Sequence, residues 1–237
     1  MAPSHTVSSF DEELKFLVRR VAEMGGIAER MVADSVSALT NGDVQLAQKV
    51  IADDYQLDEA ERQIDERAVV VIAKRQPMAS DLREIIGSIR IAADLERVGD
   101  LGKNIAKRVI AVQAMTQPKK LVRGLEHLAE LALTQLKEVL DAYSSRSAEL
   151  ANSIRERDDE IDAIYTSLFR ELLTYMMEDP RNITACAHLL FCAKNIERIG
   201  DHATNIAETV YYMATGAQLT SERPKEDETP SVGAERS

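Results

Sequence analysis

The chain has 237 residues, 40 of them acidic and 29 basic, for a net charge of −11. That balance repels phosphate backbones and anionic lipid headgroups, which sets nucleic acid and direct membrane adsorption aside as partners. With six Pro, ten Gly and no Trp, against 45% hydrophobic residues, there are too few breakpoints for a strand-rich fold, which needs a turn roughly every 8–12 residues.

The N-terminal stretch MAPSHTVSS lacks the apolar core of a signal peptide. No run approaches the roughly 18 apolar residues of a membrane span, so a cytoplasmic chain is expected. Ser9 opens Ser-Phe-Asp-Glu, a capping box with Glu12, and predicts a first helix to about Thr40. Gly25-Gly26 inside it marks a kink or a close helix crossing. Asn41-Gly42-Asp43 reads as a turn followed by a cap. A second helix then runs to about Arg75, carrying the β-branched residues 69–72 within a charged helical pattern. Gln76-Pro77-Met78 breaks the chain, and Ser80 caps a third helix to about Met115.

Pro118 opens a fourth helix that ends near Tyr143, and residues 144–147 form a loop. The fifth helix spans about 148–178 and is stopped by Asp179-Pro180; Asn182 caps a sixth that ends before Gly216. Residues 216–237, rich in charge with two Pro and two Gly, read as a disordered tail. Cys186 and Cys192 share one apolar helical stretch on different turns, too far apart to bridge, and are expected as buried free thiols in a reducing compartment.

The chain repeats itself. Residues 92–106 (AADLERVGDLGKNIA) and 193–207 (AKNIERIGDHATNIA) are identical at eight of fifteen positions. The apolar stripe repeats with them: Leu82, Ile85, Ile89, Ala92, Leu95, Val98, Ile105 and Val109 correspond to Ile183, Cys186, Leu190, Ala193, Ile196, Ile199, Ile206 and Val210. Spacings of three and four bury one face of each helix. A second echo links Asp54-Tyr55-Gln56-Leu57-Asp58 to Asp158-Asp159-Glu160-Ile161-Asp162. The expected fold is all-α, six long helices in two pseudo-symmetric antiparallel three-helix bundles over 9–116 and 117–216, with a tail at 217–237.

Each repeat carries pairs of carboxylates four residues apart: Asp54/Asp58 and Glu96/Asp100 in the first, Asp158/Asp162 and Glu197/Asp201 in the second. Helical geometry stacks each pair on one face, flanking the apolar stripe. If the second and third helices of a bundle are neighbours, two such pairs face each other. Like charges at this spacing repel by a few tenths of a kcal/mol, and a cation reverses that sign. Carboxylates are hard oxygen ligands, suited to Mg, Mn, Ca or Fe over Zn or Cu. Arg97 and Arg198 are expected to bridge to neighbouring helices, and His202 to be exposed. Gly99 and Gly200 each cost about 1 kcal/mol inside a helix, which implies close approach of a backbone or a ligand. No Gly-rich phosphate loop and no nucleophile–base pair stands out, so the chain is not read as an enzyme. The alternative is a di-metal carboxylate oxidoreductase, but the Glu-x-x-His of such bundles does not occur.

The segments Gln76-Pro77-Met78-Ala79-Ser80-Asp81-Leu82-Arg83, Asp94-Leu95-Glu96-Arg97-Val98-Gly99-Asp100 and Asn195-Ile196-Glu197-Arg198-Ile199-Gly200-Asp201-His202-Ala203 resemble the PhoU family of phosphate-specific transport accessory proteins, over essentially 9–216. The resemblance implies a cytoplasmic negative regulator of the phosphate-starvation response. It implies coupling of the phosphate ABC transporter ATPase to a sensor histidine kinase. It also implies metal clusters (Mg, Mn or Fe) on Asp54, Asp58, Glu96, Asp100, Asp158, Asp162, Glu197 and Asp201. A homodimer is expected because long helices with leftover apolar faces often self-associate.

Overall fold

Gly42, at φ +66°, turns the chain between α1 (Ser8–Asn41) and α2 (Val44–Asp53), and the Asp43 side chain accepts from the Leu46 N–H at 2.9 Å. The second repeat uses the same device, with Ser147 accepting from the Leu150 N–H at 3.1 Å between α5 (Lys119–Ser145) and α6 (Ala148–Arg155). The remaining helices are α3 (Tyr55–Arg75), α4 (Ala79–Val112), α7 (Asp158–Glu178) and α8 (Ile183–Thr215), with a 3-10 turn over Pro180–Asn182. The computed structural model describes residues 8–113, 115 and 119–219. No strand occurs among them, so the all-α expectation holds. Among the described residues no helix is long and apolar enough to cross a membrane. Pro118 and the tail beyond 219 lie outside the described residues.

In the first repeat α1, the α2–α3 pair and α4 pack on one another; in the second α5, the α6–α7 pair and α8 do the same. The repeats join along α4 with α8 and α1 with α5, so one continuous apolar core runs through both. Fully buried Leu57, Ile64, Leu95, Ile105, Leu128 and Leu136 lie within it, each stabilising the fold by roughly 1.5–3 kcal/mol against the exposed state. The predicted stripes are buried from Ile85 to Val109 and from Cys186 to Val210, save the partly buried Ile89 and Leu190. The leading residue of each, Leu82 and Ile183, is exposed.

Helices α4 and α8 cross antiparallel. Gly87 meets Met213, Asp94 meets His202, and Arg108 meets His188. Because these two helices carry the repeat, exchanging the halves maps their interface roughly onto itself. The approximate two-fold passes near Gly99 and Gly200, at the centre of the repeated motif. Gly25 serves the other inter-repeat contact, since a Cβ there would lie 2.5 Å from a Leu140 methyl of α5. The Gly25-Gly26 pair therefore marks a close crossing, and α1 continues unbroken through it.

Three local expectations are corrected. The second and fifth helices are each broken, at Asp54 and at 156–157. There i→i+3 bonds such as Leu57 N–H to Asp54 C=O (3.0 Å) and Arg157 N–H to Ile154 C=O (3.2 Å) interrupt the ladder. Ser9 is not the first cap: α1 starts at Ser8, and the Ser9 hydroxyl accepts from Arg75 at 2.8 Å. Ser80 is not a cap, since the N-cap of α4 is Met78; Asn182 does hold the N-cap position of α8 but makes no side-chain capping bond there, and Asp179 caps the 3-10 turn by accepting from the Arg181 N–H.

Candidate functional site

The helices that carry the acidic pairs come close at the repeated glycines. A methyl at Gly99 would overlap the Leu57 side chain, and one at Gly200 would lie 2.8 Å from the Ile161 Cδ1. Leu57 and Ile161 are the apolar residues inside the two Asp-x-x-x-Asp segments. Seating them on the glycines sets each acidic segment against the Glu-Arg-x-Gly-Asp turn of α4 or α8. The recurrent glycines thus admit a neighbouring side chain.

In the first repeat the meeting point is filled. Lys103 of α4 donates to Asp54 Oδ2 at 2.5 Å and pairs with Asp100 Oδ1 at 2.6 Å. Asp54 is only 9% exposed. Burial works against the Lys103 charge, but the hydrogen bonds and charges of Asp100 and Asp54 outweigh it and hold its pKa above that of an ordinary lysine. Glu96 is pushed up to about 6, first by burial, then by Asp100 and Glu61, with Asp58 adding a smaller part. Glu61 is itself raised by burial and by Asp65 and Asp58. The sequence reading missed Glu61. Its signal was the spacing Asp54, Asp58, Glu61, which continues one acidic edge along α3.

The second repeat brings Glu197 (5% exposed) and Asp162 (7% exposed) into deeper cover, and Asp201, one turn after Glu197, is partly buried. Lys194 donates to Glu197 Oε1 at 2.7 Å and lies 4.9 Å from the Tyr165 ring centre. At the position equivalent to Lys103 stands Thr204, fully buried and accepting from Gln135 Nε2 at 2.9 Å. The backbone of Asp158 opens α7; its side chain lies outside what is described.

Hard oxygen donors fit Mg, Mn or Fe by type. The first repeat does not fit a metal as it stands, because an ammonium already sits between Asp54 and Asp100. Among the described residues no three His, Cys, Asp or Glu close on a common point as a metal-holding group. Two further expectations are corrected. Among the described residues Arg97 makes no ion pair to a neighbouring helix; its Nε stands 3.7 Å from the adjacent Glu96, and its side chain is mostly exposed. His202 is not exposed: its Nδ1 lies 2.9 Å from Asp94 Oδ1 of the other repeat, with Asn205 Nδ2 at 3.5 Å from the same oxygen. Both cysteines are buried free thiols, and burial pushes Cys192 up to about 12.

The PhoU domain family matches this chain twice, at residues 21–109 and 125–210, once in each repeat. The chain is 78% identical to the phosphate-specific transport system accessory protein PhoU homolog of Rhizobium meliloti (strain 1021), over 99% of both chains. It is 50% identical to the protein of the same name in Caulobacter vibrioides (strain NA1000 / CB15N), over 94% of this chain and 97% of that one. The crystal structure of PhoU from Pseudomonas aeruginosa superposes with a TM-score of 0.85 at 40% identity, covering 88% of this chain and 100% of that one. The phosphate transport system regulatory protein PhoU from Streptococcus pneumoniae superposes with a TM-score of 0.82 at 28% identity, covering 90% and 100%. Two domain matches, full-length identity and a shared fold establish that the chain belongs to the PhoU family.

Proposed function

We propose that this chain is an accessory protein of phosphate-specific transport, acting in the cytoplasm as a non-enzymatic adaptor. It restrains the phosphate-starvation response by coupling the phosphate ABC transporter ATPase to a sensor histidine kinase, and works as a homodimer. The observation that carries this reading is the near full-length identity to the Rhizobium meliloti accessory protein. The site chemistry supports an adaptor over the di-metal oxidoreductase, since Asp54, Asp100 and Glu197 are already committed to lysines. Deletion of the gene is expected to leave phosphate-starvation genes on in high phosphate, and the tagged protein to co-purify with the ATPase and the kinase. Normal repression in the deletion strain would end this reading.

Metal uptake belongs to the same proposal. Mg, Mn or Fe would be held by Asp158, Asp162, Glu197 and Asp201 in the second repeat. Asp54, Asp58, Glu96 and Asp100 of the first would hold it only once Lys103 has left. Elemental analysis of the purified chain, with and without added Mn²⁺, tests this: a chain free of metal and indifferent to Mn²⁺ would leave adaptor function without it.

A further inference from the structure

The two repeats align residue for residue through the Glu-Arg-x-Gly-Asp turn, yet one position changes the charge of the edge. The first repeat has Lys103 where the second has Thr204. Lys103 is not a solvated surface lysine. Its Nζ sits between a nine-tenths buried Asp54 on the α2–α3 break and Asp100 one turn back on α4, at 2.5 and 2.6 Å. Both contacts are charge-assisted hydrogen bonds, in which the ammonium supplies the positive charge that the two carboxylates need. Thr204 spends its hydroxyl on Gln135 and supplies no charge.

We infer that Lys103 is the first repeat's own cation: a tethered ammonium that neutralises Asp54 and Asp100 and excludes a divalent metal from them. Ammonium and metal compete for the same two oxygens. Removing the ammonium leaves two carboxylates, one of them buried, with no other ion-pair partner among the described residues. A pair of charges in this state is strongly destabilising until a cation arrives. The inference concerns only the difference made by Lys103, and so stands or falls independently of metal uptake in the second repeat.

The test uses the full chain and Mn²⁺ alone, counted per chain by electron paramagnetic resonance and followed by thermal melting. Lys103→Thr copies the second repeat, Lys103→Gln removes the charge at similar length, and Lys103→Arg keeps the charge. Lys103→Thr and Lys103→Gln are expected to bind one more Mn²⁺ than the unaltered chain. Both should melt lower in chelator and recover toward the unaltered melting point with Mn²⁺, while Lys103→Arg behaves like the unaltered chain. An unchanged Mn²⁺ count in both neutral variants overturns the inference. So does failure of both to fold with Mn²⁺ present, because the metal then does not take the ammonium's place.

Discussion

His202 of α8 and Asp94 of α4 meet with Nδ1 and Oδ1 2.9 Å apart, joining the two repeats on the crossing that their shared motif centres. Both side chains are partly buried, at 17% and 19% exposure. Their contact is therefore worth more than a surface ion pair, yet less than a dry one. Asp94→Ala or His202→Ala is expected to cost about 1 kcal/mol by urea unfolding. The double variant should cost clearly less than the two single losses added, since each removes the same bond.

Two adjacent glycines of α1 predict opposite outcomes. Gly26 has open space where a Cβ would stand, so Gly26→Ala should stabilise the chain by up to about 1 kcal/mol through helix propensity. A Cβ at Gly25 would press on Leu140, so Gly25→Ala should destabilise it. Thermal melts of the pair decide this, and equal shifts in one direction would contradict the packing described for α1 against α5.

Glu96 sets a pH dependence. Its folded pKa of about 6 lies above the ordinary glutamate value of 4.5. The folded state therefore holds this proton more tightly than the unfolded chain. Its contribution is least unfavourable below pH 4.5, and becomes a penalty as pH rises through 6. Glu96→Gln is expected to gain about 1 kcal/mol at pH 7, allowing for solvent screening, and nothing at pH 4. Urea midpoints at the two pH values measure it.

Cys192 is fully buried, with its thiol pushed up to about 12 by burial, and Cys186 is raised by the same cause. Neither should react with an aromatic disulfide reagent at pH 8 until the chain unfolds, because the thiolate is the reactive species. Two thiols per chain are expected in denaturant; rapid release from the native protein would count against the buried placement.

The helices and the repeat were legible because spacings of three and four, such as Ile85, Ile89, Ala92, Leu95 and Val98, admit one buried face and hence one element. The pairing of Asp54 with the Glu96–Asp100 turn was legible once two helices of one bundle were taken as neighbours. The breaks at Asp54 and 156–157 were not, since neither carries a Gly or Pro and the ladder is interrupted by local hydrogen bonding instead. The contact of Asp94 with His202 was hidden for another reason: it depends on how one whole repeat sits on the other, which periodicity within a helix does not encode. Lys103 opposite Thr204 was in plain view as a mismatch, but where a flexible side chain delivers its charge is a tertiary fact.

In an assembly of two identical half-length subunits, every amino-acid exchange would be made twice, and a lysine placed at one edge would appear at both. Joining the halves in one polypeptide lifts that constraint. Lys103 and Thr204 are the result: near-twin surfaces, one closed by its own side chain, free to take on different duties while the shared interior keeps them in fixed relation.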